Sequence, residues 1–359
     1  MQKYISNIIK INGFIPLDEF IFLALCHSKY GYYAKQNPIK KDFITSPEIS
    51  NAFGIIIANF IFNKIFAIKD IEEFREIHLI EFGGGSGKLA FDILYFLINL
   101  KKINNPKIDK IIQKLNFHSI EISPTLRRVQ KNTLKNIPIP KSFWGNIIEF
   151  SEFLENQNKL IKNKNNLCIF FSNEFFDALP IKQFFINEEG FFEIIVTEKN
   201  NNFIFVKMAI NSEKLHLIQK NKKIKKNDIM EVPFFGINIL QEIANIMKNN
   251  KSIFLTFDYG SFEENNTSTL QGVFNGNKVA NILENVGEAD ITHLVNFAIF
   301  SDFFQKNNFQ VQLQTQKEFL VQNGVKELVI PENQEGILRL IDESQMGELF
   351  KVLIVNALN

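Results

Sequence analysis

Two short stretches of this sequence carry residue types that could bind a ligand or do chemistry. In the first, Glu81 is followed by glycines at alternate positions, Gly83, Gly85 and Gly87, directly after an apolar run. Glycine lets the backbone adopt positive φ and lets a ligand approach the main chain closely. The apolar residues that follow recur at helical spacing, and the start of a helix offers unpaired N–H groups to an anion. The stretch therefore predicts a strand, a ligand-binding turn and a helix, which is half of a nucleotide-binding βαβ unit.

The spacing of these glycines argues against two familiar phosphate sites. A dinucleotide site reads G-x-G-x-x-G, but Lys88 stands at the third glycine position. A P-loop would need a glycine at Phe82 and a Ser or Thr at Leu89. The remaining pattern, E-x-G-x-G-x-G, resembles the first motif of class I S-adenosylmethionine methyltransferases, where the anion at the helix start is the carboxylate of the cofactor. A glycine-rich turn in another α/β protein is the alternative.

A carboxylate also follows the second predicted strand. Glu121 ends that strand, where an acid can accept hydrogen bonds from ribose hydroxyls. It lies 34 residues after Gly87, beyond the usual spacing of about 20, because a charged segment, 101–114, intervenes. We expect Glu121 and its neighbour Ile122 to contact the cofactor. Asn146, at the predicted end of a third strand, is expected near the adenine.

The second stretch, Asn173 to Pro180, follows a continuous apolar run, 167–171, that predicts a central strand. Polar groups at the carboxyl end of such a strand face the crevice in which α/β enzymes bind their substrates. Glu174 and Asp177 are therefore candidates for holding a substrate, and Asn173 for lining the cofactor end. A capped turn, in which these side chains only satisfy backbone N–H groups, is the alternative.

A third polar segment, Asp42 to Ser50, precedes the core. Ser46 as N-cap and Pro47 at the first helical position predict the start of a long apolar helix. Capping does not account for the neighbouring Thr45 and Glu48. We predict that this loop is part of the active site, with Thr45 and Ser46 facing the cofactor and Glu48 near the acceptor.

The remaining sequence predicts the elements that hold these residues. The fold class expected is α/β, a Rossmann-like sheet of seven strands with an N-terminal helical segment. Short apolar runs after residue 181 predict an antiparallel β insertion between the fourth and fifth core strands. A lysine-rich stretch, 214–228, is expected to be a solvated loop. The expected parts are a helical cap with the active-site loop (1–75), the first part of the cofactor-binding core (76–180), an inserted β-rich and helical substrate region (181–250) and the second part of the core (251–359).

Composition limits the classes of function. Hydrophobic residues make up 45% and charged residues 22% of the 359, as in ordinary globular proteins. The net charge of +1 argues against a nucleic-acid partner, and no apolar run is long enough to span a membrane. The histidines have no metal-ligand spacing, so no metal is expected. Cys26 and Cys168 lie in apolar contexts and are expected to be reduced, which favours the cytoplasm.

Taken together, these motifs resemble the MidA family of class I methyltransferases. Gly84 and Ser86 stand where that family usually has proline and a basic residue, and Asn146 stands where it tends to have an acid. The stretches that carry the resemblance are Gly31–Tyr33, Asp42–Ser50, Glu81–Gly87, Glu121–Pro124, Asn173–Pro180, Asp258–Gly260 and Gly287–Thr292.

The resemblance implies methyl transfer from S-adenosylmethionine to a protein arginine in a subunit of the respiratory NADH dehydrogenase (complex I). Glu174, Asp177 and Glu48 would be the catalytic residues, since carboxylates hold a guanidinium in a bidentate fork. The compartment would be the cytoplasm of a bacterium or the mitochondrial matrix of a eukaryote. A homodimer is a candidate state. The alternatives are a methyltransferase-like assembly or chaperone protein without catalysis, and a small-molecule or RNA methyltransferase.

Overall fold

The structure is a computed structural model. It describes residues 1–35, 44–135, 137, 146–148, 165–188, 190–210, 228–263, 265–279 and 281–358. Asp42 and nearly all of the predicted lysine-rich loop therefore lie outside the described residues.

A seven-stranded sheet forms the centre of the protein, as the sequence predicted. The seven strands are β2 (Glu76–Phe82), β3 (Leu115–Ile120), β4 (Asn146–Ile148), β5 (Asn166–Asn173), β10 (Lys251–Ser261), β15 (Gln310–Thr315) and β16 (Phe350–Ala357). Along the sheet they follow the order β15-β16-β10-β5-β2-β3-β4, and β16 runs opposite to the other six. A short eighth strand, β14 (Val295–Asn296), pairs with the end of β10.

The core lies on both faces of this sheet, because alternate residues of each buried strand point to opposite sides. In β5, Ile169 and Phe171 join one apolar cluster, whereas Cys168 and Phe170 join the other. Helices cover both faces, which explains why the central strands read as continuous apolar runs. Over the whole protein, the helices in the described residues are Gln2–Asn12, Leu17–Cys26, Tyr32–Lys35, Ser46–Ile49, Asn51–Phe66, Lys88–Asn99, Pro106–Lys114, Pro124–Lys135, Phe234–Met247, Phe297–Lys306, Gln316–Gln322, Gln334–Ile341 and Met346–Leu349.

The predicted antiparallel insertion forms a second sheet between β5 and β10 in the chain. The strands follow the order β1-β7-β6-β9, and β8 pairs with β7 on the side opposite β6. The N-terminal segment contributes β1, since Ile15 pairs with Val196. The strands are β1 (Ile15–Pro16), β6 (Lys182–Asn187), β7 (Gly190–Lys199), β8 (Asn202–Ala209) and β9 (Ile229–Val232). A third, small sheet, which the sequence did not predict, contains β11 (Gln271–Phe274), β12 (Asn277–Val279) and β13 (Asp290–Thr292).

Two predicted boundaries are wrong. Ser46 is not the cap of the long helix: Thr45 is the N-cap of a single turn, Ser46–Ile49, and an extended Ser50 then separates this turn from Asn51–Phe66. The Ser50 side chain caps the long helix by accepting from the N–H of Ala52 at 3.3 Å. Both Ser46 and Ser50 are suitable N-cap residues, and the local sequence did not show which of them caps the long helix.

The second wrong boundary concerns Asn146. This residue opens β4 and pairs with His118, near the middle of β3, instead of ending the strand. The carboxyl edge of β4 is therefore nearer Ile148, which pairs with Ile120.

Candidate active site

The strand order of the central sheet reverses between β2 and β5, which are neighbours. In an open α/β sheet, such a reversal leaves a crevice at the carboxyl ends of the strands. The glycine-rich loop follows β2 and the stretch from Glu174 to Pro180 follows β5. Both predicted stretches therefore open onto the same crevice.

The glycine-rich loop needs glycine for two physical reasons. Gly83, Gly85 and Gly87 have φ values of 65°, 54° and 80°, which side chains rarely adopt. A Cβ on Gly83 would also lie 2.7 Å from the ring of Phe175. Gly87 is the N-cap of the helix Lys88–Asn99, so the predicted turn and helix are confirmed.

Two buried acids lie beneath this loop. The side chain of Glu121 accepts from the N–H of Ser123 at 2.9 Å and from Nε2 of Gln130 at 3.3 Å. Burial raises the pKa of Glu121 to about 7, although backbone N–H groups and Arg127 act in the other direction. Burial and the charge of Glu121 raise the pKa of Glu81 to about 8. Within the described part of the chain, Oε2 of Glu81 has no hydrogen-bond partner.

The turn after β5 is held in a constrained conformation. Glu174 has a φ of 52°, and its N–H donates to the carbonyl oxygen of Phe257 at 2.9 Å. Asp258, which is fully buried, then accepts three successive backbone N–H groups on one oxygen. The donors are Phe175 at 3.1 Å, Phe176 at 2.8 Å and Asp177 at 3.4 Å. Asp258 therefore fixes the turn that carries the predicted catalytic acids.

The predicted acids at this turn, Glu174 and Asp177, are half-buried, and the charge of Glu174 affects the pKa of Asp177. Oε1 of Glu174 accepts from Nδ2 of Asn173 at 2.8 Å and from the N–H of Ser46 at 3.0 Å. Burial raises the pKa of Glu174 to about 7. Burial, followed by the charges of Asp258 and Glu174, raises the pKa of Asp177 well above its usual range. A cation bound here would stabilise the ionised carboxylates and so lower these raised pKa values.

The loop before the long helix reaches the crevice, but two of its side chains point elsewhere than predicted. The hydroxyl of Ser46 donates to Oε1 of Gln316 at 3.3 Å, so only its backbone N–H serves the site. The prediction that the Ser46 side chain faces the cofactor is wrong. Oε1 of Glu48 accepts from the hydroxyl of Ser86 at 2.5 Å, which puts its carboxylate beside the glycine-rich loop, whereas we expected it near the acceptor.

These elements enclose a pocket of about 1080 Å³, part of which is open to solvent. Gly87, Ser46, Glu48 and Asp177 are not among its described lining residues, and the side chain of Asn146 lies outside what the structure describes. The predicted residues that line the pocket are Thr45, Glu81, Gly83, Gly85, Glu121, Ile122, Asn173 and Glu174.

The chemistry of this lining suits S-adenosylmethionine. Glu121 can accept from a ribose diol, as an acid after the second strand does in nucleotide-binding folds. Glu81 and Asn173 each present a buried oxygen without a partner among the described residues, and such atoms can accept from an ammonium group. The loop glycines leave room for the ligand against the main chain. The pocket therefore offers Glu121 as a possible partner for a ribose, and Glu81, Asn173 and the loop as possible partners for an amino-acid end.

Sequence reasoning missed several residues that shape the pocket. Tyr33 lines it and donates through its hydroxyl to Asp290 at 3.3 Å. Cys26 also lines it, and burial raises the pKa of its thiol to about 12. Gln130 supports the glycine-rich loop from below. The Gly31–Tyr33 stretch gave a signal for Tyr33, whereas Cys26 and Gln130 read only as helix residues.

Three features together define a class I methyltransferase. They are the order of the central sheet with its one antiparallel strand, the glycine-rich loop after β2, and the acid Glu121 after β3. A family model described as "Putative S-adenosyl-L-methionine-dependent methyltransferase" matches residues 56–315. The chain belongs to this family, and its cofactor is S-adenosylmethionine.

Named relatives cover nearly the whole chain. The mitochondrial protein arginine methyltransferase NDUFAF7 of Danio rerio is 26% identical over 98% of this chain and 86% of its own length. The Homo sapiens protein of the same name is 26% identical over 98% of this chain and 82% of its own length. A solved structure from Burkholderia thailandensis, bound to S-adenosyl-homocysteine, is 19% identical. It covers 100% of this chain and 92% of its own, with a TM-score of 0.78, and this likeness supports the fold.

Proposed function

We propose that this protein transfers a methyl group from S-adenosylmethionine to an arginine side chain of a protein substrate. The names of the relatives support an arginine acceptor. The observation that carries the proposal is the acidic end of the pocket. Glu174 lines the same pocket as the glycine-rich loop, and its charge interacts with the half-buried Asp177 and the fully buried Asp258.

Glu174 is the residue we assign to the acceptor. A carboxylate can pair with the guanidinium through two parallel hydrogen bonds, which fixes the direction of the reacting nitrogen. Its Oε1 is already held by Asn173 and by the backbone of Ser46. The carboxylate is thus oriented before the acceptor binds, and such positioning can contribute about 7–11 kcal/mol to lowering a barrier.

Asp177 has a supporting role in this proposal. Asp177 is not among the described residues that line the pocket. It lies close enough to Glu174 for the charge of Glu174 to raise the pKa of Asp177. An ionised Asp177 would add negative potential behind the guanidinium. Bound S-adenosylmethionine would supply the methyl group from its sulfonium. A C–N bond would form while the C–S bond broke with its electrons going to sulfur, and water would take the proton that the guanidinium loses.

The acceptor protein and the compartment are finer proposals. Following the sequence resemblance, we propose a subunit of the respiratory NADH dehydrogenase as acceptor. We further propose that the reaction takes place in the cytoplasm of a bacterium or in the mitochondrial matrix of a eukaryote. No helix in the described residues is long and apolar enough to cross a membrane. A homodimer is kept as a candidate state.

The test is transfer of labelled methyl from S-adenosylmethionine to proteins of a lysate that lacks this protein. Mass spectrometry of the labelled band then identifies the modified residue and supplies an acceptor peptide. Methylarginine is the expected product. Label on another residue type would contradict the arginine proposal, and intact cofactor binding without transfer would favour an assembly protein without catalysis.

Glu174→Gln tests the assignment of the acceptor site. Glutamine keeps an oxygen that can accept from Asn173 and Ser46 but loses the charge, so the loop should stay in place. Turnover of the peptide should fall by about 10²-fold or more, with cofactor affinity within a few-fold of wild type. Glu284→Gln, an exposed position outside the pocket lining, is the control. Unchanged turnover in Glu174→Gln would show that the acceptor binds elsewhere.

A further inference from the structure

Gln130 is a fully buried polar side chain on the inner face of the helix Pro124–Lys135. Its Oε1 accepts from the hydroxyl of Ser119 at 2.8 Å. Its Nε2 donates to the carbonyl oxygen of Gly85 at 3.2 Å and to Oε2 of Glu121 at 3.3 Å. One amide therefore contacts β3, the glycine-rich loop and the ribose acid.

The orientation of this amide follows from the chemistry of its partners. A carbonyl oxygen and a carboxylate can accept but not donate, so the NH₂ group must face Gly85 and Glu121. The hydroxyl of Ser119 is then left to donate to the amide oxygen. A Cβ on Gly87 would lie 3.2 Å from Cα of Gln130, so the loop also packs directly on the main chain of the helix.

We propose that Gln130 is a positioning residue that couples the glycine-rich loop to Glu121 and so sets the geometry between the two halves of the cofactor site. The loop faces the amino-acid end of the ligand and Glu121 faces its ribose. One direct contact also joins the two elements, because the backbone N–H of Gly85 donates to the carboxylate of Glu121. The amide adds a second link, through the carbonyl oxygen of the same glycine. Without the amide, only the single contact from Gly85 joins the two halves of the site, and binding must then restore part of their alignment.

Thr133 offers a matched control on the same helix. Its hydroxyl donates to the carbonyl oxygen of Ser86 at 2.7 Å, so it supports the loop but is not recorded in contact with Glu121. Thr133→Val removes this one hydrogen bond with little change in volume. Loss of loop support alone can thus be separated from loss of coupling to Glu121.

The test is calorimetric binding of S-adenosylmethionine from pH 5.5 to pH 9, which needs no acceptor protein. Gln130→Leu removes the amide and should weaken binding by about 10- to 100-fold at pH 8, because its three hydrogen bonds, one of them to a charged group, no longer hold the loop and Glu121 in place. Thr133→Val should weaken it by about 3- to 10-fold. Gln130→Met, with an unbranched side chain of similar length, replaces Gln130→Leu if that variant does not fold.

A packing role alone would not shift the pH dependence of binding, so this dependence is the decisive readout. Removing an N–H donor from a carboxylate disfavours its ionised form and raises its pKa. The pH below which affinity falls should therefore move upward by about half a unit to one unit in Gln130→Leu and stay in place in Thr133→Val. Among the residues that the structure describes, the other ionisable groups facing Glu121 are Arg127, Glu81 and Cys26, and all three are unchanged in both variants. Affinity within twofold of wild type, or equal pH midpoints in the two variants, would overturn the proposal.

Discussion

Replacing Gly84 by alanine tests how tightly the glycine-rich loop packs on the buried acids. Gly84 is not among the glycines with positive φ, so its backbone conformation is open to alanine. Space is the constraint: a Cβ would lie 2.6 Å from Oε2 of Glu81 and 2.7 Å from Oγ of Ser119, both of them buried residues. These distances are well short of ordinary van der Waals contact, so either the loop or the acids must move.

The size of the effect follows from the cost of overpacking, about 1–3 kcal/mol in a well-packed interior. If that cost falls on the loop geometry that binds the cofactor, the dissociation constant of S-adenosylmethionine rises by roughly 5- to 150-fold. If it falls on the folded state, the melting temperature drops instead. Calorimetry and thermal unfolding of the same sample measure both. Gly84→Pro, which would restore the residue usual in the MidA family, puts a Cβ at the same point and is expected to do no better.

Gly236→Ala is the matched control. Gly236 lies in the helix Phe234–Met247, and a Cβ there would have no neighbour closer than 3.5 Å. Alanine in a helix interior is favoured over glycine by up to about 1 kcal/mol, so this variant should melt at or above the wild-type temperature and bind the cofactor normally. If Gly84→Ala matched Gly236→Ala in both measurements, the argument that the loop is packed against the acids would be refuted.

Two further predictions concern the acids of the site. Glu48→Ala and Ser86→Ala should each weaken cofactor binding by about 3- to 10-fold with little loss of melting temperature. The double variant should lose less than the sum of the two single losses, since the two side chains share one hydrogen bond, although Oγ of Ser86 also accepts from the N–H of Lys88. Fully additive losses measured by calorimetry would contradict this. The second prediction is that kcat/KM for an arginine peptide rises with pH through about 7 and then levels off, because only the ionised form of Glu174 pairs with the guanidinium. Initial rates from pH 5.5 to pH 9 measure it, and Glu174→Gln should lack the step.

The central sheet could be predicted from sequence because its signals are local. Continuous apolar runs ended by glycine or polar residues gave the core strands, and the short runs after residue 181 gave the inserted sheet. The pairing of Ile15 with Val196 could not be predicted, since it joins segments about 180 residues apart and neither residue has a distinctive pattern. The helices between β15 and β16 were also missed. One of them contributes Gln316, which holds Ser46 and donates to the carbonyl of Leu340 at 2.9 Å.

The same division between local and non-local information applies to the site. Residue type and position at a strand end were enough to bring Glu121, Asn173 and Glu174 to one pocket. The partner of each polar group was not predictable, because a hydrogen bond between distant segments depends on packing that sequence spacing does not encode. Glu48 illustrates this: its place near a helix start suggested the acceptor, while its actual partner is Ser86 on the glycine-rich loop.

The acids in and around the turn after β5, Glu174 and the neighbouring Asp258 of β10, relate folding to ligand binding. Burial raises the pKa of Glu174 to about 7 and of Asp258 to about 8, above the ordinary value of a carboxyl group. A carboxyl group with a raised folded-state pKa contributes its stability below the unfolded pKa, and this contribution is lost as pH rises through the folded value. In the protein without a bound cation, these two groups therefore stabilise the fold near pH 4.5, and most of this stabilisation is lost by pH 8. A bound guanidinium would favour the ionised carboxylates and so recover part of the lost stability. The acidic turn therefore destabilises the free protein above neutral pH, and a cationic acceptor would reverse part of this effect.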